Sequence, residues 1–131
     1  MIGLVLVAHG KLAHEMIRAA EMITGKMDMV VPVGIEADDS VDAIREAITD
    51  GIATFSGNGV IVMTDMFGGT PSNMSLSFLE SDRIEVLTGV NLPMVLEFVS
   101  ERDKRSVSDL AAKLRQCGQD SILVAGDYLK K

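Results

Sequence analysis

The chain alternates between two hydrophobic rhythms. Residues 2–8 form an almost unbroken apolar run, IGLVLVA, and the segment from Leu12 to Thr24 then takes up a helical period that stops at Gly25. An apolar run of that length reads as a strand covered on both faces, and a glycine after a periodic segment reads as a helix stop. The alternation continues with a strand over 29–33, a helix over 40–55, a strand over 60–64, a helix over 71–79 and a strand over 84–87. Two helical patterns, 93–100 and 107–117, precede a last short apolar run at 122–125. Strands of this kind alternating with helices predict a three-layer α/β/α domain around a parallel sheet. Right-handed crossovers leave few topologies, and the flavodoxin-like order 2-1-3-4 is the expected one. The run at 122–125 is expected as an edge strand, and the residues alone leave its direction open.

Helical geometry also sorts the side chains of the first helix. At about 100° per residue, Leu12, Met16, Ala19 and Ile23 share one stripe, which is expected to face the sheet. His14 falls nearly opposite, beside Arg18 and Glu21, and is expected to be an exposed surface imidazole.

Composition narrows the classes of function. A length of 131 residues with no repeat and no linker predicts one domain over 1–131, and 47% hydrophobic residues exclude a disordered chain. The net charge is −7, and the one cationic stretch, ERDKR at 101–105, is half acidic. No basic face is therefore available to a nucleic-acid backbone or an anionic membrane. Cys117 is the single cysteine, so no internal disulfide forms and a reducing cytoplasm is the expected location. The apolar start lacks a basic leader and a small-residue cleavage site, and no run reaches the roughly 18–20 residues of a membrane span. It is read as a buried strand, with no direct membrane insertion.

The candidate chemistry lies where strands end. His9 closes the first strand and is followed by Gly10. Asp65 closes the third, followed by Met66-Phe67-Gly68-Gly69-Thr70-Pro71-Ser72-Asn73. In open α/β sheets ligands bind at the carboxyl ends of strands where the strand order reverses, and order 2-1-3-4 places His9 beside Asp65 there. Gly68 and Gly69 permit a tight turn with close backbone approach, while Thr70 and Pro71 suit a helix start. Gly69, Thr70 and Ser72 are thus the candidate phosphate-binding residues. A carboxylate accepting a hydrogen bond from imidazole Nδ1 fixes the tautomer and leaves Nε2 free to attack phosphorus. The pattern points to phosphoryl transfer through His9 with Asp65 as its orienting partner, and it calls for no metal and no cofactor. Asp38-Asp39 reads as a turn and helix-start signal. Met66 and Phe67, on the loop at the site, form a candidate docking patch for a protein partner.

His9-Gly10, the stretch TDMFGGTPSN and the stretch Gly89-Val90-Asn91-Leu92-Pro93-Met94 together resemble the enzyme IIA component of the mannose-type bacterial sugar phosphotransferase system, over essentially the whole chain. That resemblance implies a phosphocarrier whose His9 accepts a phosphoryl group from HPr and hands it to a IIB component. It implies that Asp65 orients the histidine and that Thr70 contacts the phosphoryl group. It also implies a homodimer formed by exchange of a C-terminal antiparallel strand, here 122–125. Met66-Phe67 stands where some members carry threonine and tryptophan, which bears on partner preference. No IIB domain follows Lys131, so the acceptor is expected in trans.

Three other readings compete. A regulatory module would have the phosphorylation state of His9 read by a partner protein. A flavin-binding electron carrier is suggested by fold alone, and a chain with no Trp and one Tyr, Tyr128, offers few stacking platforms. A metal chelatase would need a second well-placed imidazole.

Overall fold

The apolar run at the start of the chain becomes β1 (Gly3–His9), and its lack of polar positions follows from its place in the sheet. The structure, a computed structural model, describes residues 1–55, 57–66 and 70–130, with the side chains of residues 70–72 outside that description. β1 lies between β2 (Val30–Ile35) and β3 (Val60–Thr64), with β4 (Ile84–Thr88) beyond β3. All pairings are parallel, and the order is β2-β1-β3-β4, as expected. Successive side chains of β1 point to opposite faces. Leu4, Leu6 and Ala8 pack with α1 (Leu12–Thr24), α4 (Leu92–Glu101) and α5 (Val107–Asp120). Val5 and Val7 pack with α2 (Val41–Ala53) and with Met74 of α3 (Thr70–Leu76). A strand sandwiched this way has no position for a polar side chain. β2 and β4 lie at the edges and are half-buried, which accommodates Pro32 in β2 and Glu85 in β4.

The helix starts are chemically marked. Ser40 Oγ accepts from Ala43 N–H at 3.0 Å, Ser106 Oγ from Asp109 N–H at 3.2 Å and Asn91 Oδ1 from Met94 N–H at 3.3 Å. Gly25 ends α1 with φ of 82°.

One expectation is corrected. The buried stripe of α1 is Ala13, Met16, Ile17 and Ala20, whereas Leu12 and Ile23 are 45% and 64% exposed. The observed set has the spacing i, i+3, i+4, i+7, and its two alanines let the helix lie close to the sheet. Leu12 and Ile23, which suggested the other stripe, are the first and next-to-last residues of the helix. The edge strand expected in the tail is not seen within a single chain. Among the described residues the sheet has four strands; residues 122–124 join none of them, and α6 (Ala125–Leu129) follows. Tail backbone groups are satisfied locally, with Asp127 N–H and Tyr128 N–H both donating to Val124 O. Ile122, Leu123 and Val124 are largely exposed.

The amino end of the sheet is closed by Arg102, which is 5% exposed at the end of α4. Its Nε and Nη2 donate to Ile2 O, Nη1 donates to Asp28 O at 2.7 Å, and Nη2 also reaches Met29 O at 3.3 Å. The guanidinium lies 4.6 Å from the centre of the Phe98 ring. Met29, with φ of 54°, turns the chain into β2 in a left-handed conformation, and its carbonyl also accepts from Leu4 N–H. Among the described residues no helix is long and apolar enough to cross a membrane.

Candidate functional site

Parallel pairing of β1 with β3 sets Val7 opposite Thr64, so the residues just past that pair meet at the carboxyl end of the sheet. They are His9 and Asp65. One carboxylate oxygen, Asp65 Oδ2, accepts the His9 backbone N–H at 3.0 Å and lies 2.7 Å from His9 Nδ1. The carboxylate side chain is 13% exposed and the imidazole 52%. Burial opposes ionisation of Asp65, but the backbone and ring hydrogen bonds from His9 and the charge of the ring outweigh it and hold the carboxyl below its ordinary range. An ionised carboxylate only accepts hydrogen bonds. The network therefore assigns the proton to Nδ1, and in the neutral ring Nε2 carries the lone pair. Asp65 Oδ1 is buried and has no hydrogen-bond partner among the described residues.

The surrounding turns hold this pair in place. Gly10, with φ of 59°, donates its N–H to Ile35 O at 2.8 Å, tying the end of β1 to β2. Thr64 O accepts the N–H groups of Gly89 and Val90, each at 3.0 Å, so the end of β3 anchors the Gly-Val-Asn stretch after β4. Asn91 shapes that turn, capping α4 and donating from Nδ2 to Gly118 O at 3.0 Å.

Beside His9 opens a cavity of about 470 Å³ whose walls include Ile35, Val41 and Ile44 with the carboxylates of Glu36 and Asp39. Asp39 Oδ2 accepts Glu36 N–H at 2.8 Å and Asp39 N–H returns to Glu36 O at 3.1 Å, closing the β2–α2 turn on itself. Sequence reasoning took Asp38-Asp39 as a turn signal and missed that this turn borders the site. The signal was available, because β2 adjoins β1 in the expected order and its carboxyl end must lie next to His9.

Met66 follows Asp65 and is 54% exposed. Phe67 and Gly69 lie outside the described residues. Thr70 and Ser72 open α3, one residue ahead of the expected start at Pro71, and their side chains also lie outside the description. His14 is exposed on α1, as expected. Among the described residues no group of three or more His, Cys, Asp or Glu side chains is placed to hold a metal ion. The arrangement presents a half-exposed imidazole whose Nδ1 is held by a largely buried carboxylate. It suits transient covalent capture of an electrophile such as a phosphoryl group.

The chain is similar to known proteins over nearly its whole length. Residues 3–115 match the family model described as PTS system fructose IIA component. The chain is 29% identical over 133 residues to the PTS system fructose-specific EIIA component of Bacillus subtilis (strain 168), covering 100% of this chain and 91% of that protein. It is 27% identical over 124 residues to the PTS system mannose-specific EIIAB component of Escherichia coli (strain K12), covering 92% of this chain and 38% of that longer protein. The crystal structure of phosphotransferase system component EIIA from Streptococcus agalactiae superposes with a TM-score of 0.88 at 33% identity, covering 97% of this chain and 99% of that one.

Proposed function

This chain belongs to the mannose-type family of phosphotransferase-system IIA components, and from that premise we propose that it carries a phosphoryl group on His9 Nε2 between phospho-HPr and a separate IIB component in sugar uptake. The observation that carries the reading is the 2.7 Å contact between His9 Nδ1 and Asp65 Oδ2, which in the neutral ring puts the lone pair on the opposite nitrogen of a half-exposed side chain. The Nε2 lone pair attacks phosphorus, a new N–P bond forms, and the N–P bond of the donor histidine breaks in line with it. The Nδ1 proton stays on the ring, and Asp65 offsets the positive charge that the phosphorylated imidazole carries. Transfer to the IIB component reverses these steps. The backbone N–H groups at the start of α3, with Gly69, Thr70 and Ser72, receive the phosphoryl oxygens, and Met66 and Phe67 contact the protein partners.

The test is phosphorylation by phosphoenolpyruvate, enzyme I and HPr. His9→Ala abolishes acid-labile, base-stable label on the protein, while His14→Ala leaves it intact; label retained on the His9 variant overturns the assignment. If the labelled protein passes its group to no IIB component and instead changes its binding to another protein, the regulatory reading replaces the transport one. The protein functions as a homodimer in which residues 122–125 of one copy pair with the edge of β4 in the other. The exposed side chains of Ile122, Leu123 and Val124, together with the open edge at β4, support that arrangement. Light scattering showing a monomer at micromolar concentration would argue against it.

A further inference from the structure

Gly34 lies in β2 opposite Ala8 of β1, one residue before the pair His9 and Ile35. A Cβ built at Gly34 meets Gly10 O at 2.7 Å and His14 Cε1 at 3.4 Å. The second contact is with the end of a mobile side chain. The first is with backbone, and that backbone is fixed from both sides. Gly10 N–H is bonded to Ile35 O on β2, and His9 N–H is bonded to Asp65 beyond β3. Reaching an ordinary carbon–oxygen contact would move the Gly10 carbonyl by roughly 0.5 Å or more. That carbonyl lies in the Gly10–Lys11 peptide, so its shift reaches His9 through the backbone of Gly10, whose N–H is tied to Ile35 O, and bears from there on the direction of the imidazole.

We propose that Gly34 is a positioning residue for His9: its missing side chain is the seat on which the left-handed Gly10 turn rests, and that seat aims the imidazole at Asp65. The proposal rests on the phosphocarrier reading for its consequence, since near-attack geometry tolerates little displacement. Gly10 contributes by conformation alone. A Cβ there meets nothing within 4 Å, but its φ of 59° is one that β-branched residues rarely adopt. Gly3 is the internal comparison. It sits at the other end of β1, and a Cβ there runs into the Phe55 ring, so Gly3→Ala disturbs packing on the same strand without touching the turn.

The experiment pairs two readouts. Nitrogen-15 NMR of the unphosphorylated protein reports which ring nitrogen of His9 bears the proton, and single-turnover phosphorylation by phospho-HPr reports transfer. Gly34→Ala is expected to shift the two His9 ring nitrogens toward a mixture of tautomers and to slow transfer at least tenfold per folded molecule. Gly3→Ala lowers the melting temperature but leaves the His9 ring signals in place. Unchanged ring signals and transfer in folded Gly34→Ala overturn the proposal, as does an equal change of the ring signals in Gly3→Ala. Should Gly34→Ala fail to fold, Gly10→Asn, which tolerates a left-handed turn, is compared with Gly10→Val, which does not. The valine variant is expected to lose at least tenfold more transfer, and equal behaviour of the two overturns the proposal. A wild-type protein that accepts no phosphoryl group from HPr removes the phosphocarrier reading, and the ring signals still decide whether Gly34 seats the turn.

Discussion

At the carboxyl end of the sheet, His9 is half exposed and a single Asp65 oxygen serves both its backbone and its ring. At the amino end, Arg102 is 5% exposed and its guanidinium is spread over the carbonyls of Ile2, Asp28 and Met29. The same strands thus end in two kinds of polar site. Arg102 spends its donors on fixed backbone acceptors, so its contacts reinforce the entry of β1 and β2 into the sheet. Among the described residues Asp65 is the ring's hydrogen-bond partner, and the imidazole is 52% exposed. A charge enclosed by permanent partners serves stability, and a partly exposed group beside a buried charge suits chemistry.

The largest expected effect tests the closed end. Arg102→Met takes the guanidinium donors from the carbonyls of Ile2 and Asp28, while Met29 O keeps the N–H of Leu4, and is expected to lower unfolding free energy by about 3 kcal/mol in urea titrations. Phosphoryl transfer per folded molecule stays unchanged. A loss below about 1 kcal/mol would show that water replaces the guanidinium, and the contrast between the ends would fail.

At the open end, Asp65→Asn keeps the shape of the side chain but removes the charge and allows an amide N–H to face the ring. Transfer is expected to slow by about 10- to 100-fold, with a smaller loss of stability than for Arg102→Met. Unchanged transfer and unchanged lifetime of the phosphohistidine would take Asp65 out of the mechanism.

The smallest effect is the dependence on acid. The Asp65 carboxyl is held below its ordinary value of 3.8 in the folded protein, so the unfolded chain binds its proton first as pH falls. Its contribution is therefore fully present above that ordinary value and disappears as pH drops through the lower folded one. The stability difference between wild type and Asp65→Asn, measured by urea titration across the acid range, should be constant near neutrality and shrink below about pH 4. A difference that stays constant down to pH 2 would mean that the carboxylate charge contributes nothing.

These two ends also differ in how much of them the linear chain reveals. The meeting of His9 with Asp65 follows from two strand ends and a strand order, and both are legible in the hydrophobic pattern. The role of Arg102 is not. In ERDKR it looks like one of several surface charges, because its acceptors are backbone carbonyls about 75 to 100 positions away and a carbonyl leaves no mark in a sequence. Gly34 is hidden for the same reason, since what it accommodates is the carbonyl of Gly10 in the turn after the neighbouring strand. The α1 stripe differs from the one its large apolar residues suggest, because its fully buried positions are the small residues Ala13 and Ala20.

By itself the sequence determined the element order, the central place of β1 and the pairing of a histidine with an aspartate at one end of a parallel sheet. Periodicity and strand-end chemistry are local properties, and a topology with few alternatives carries them into space. Only the tertiary structure decided which face of α1 is buried, that Arg102 closes the far end and that 122–124 stay outside the sheet of a single chain. Each of those depends on distances between backbone groups far apart in the chain, which residue identity does not encode one position at a time.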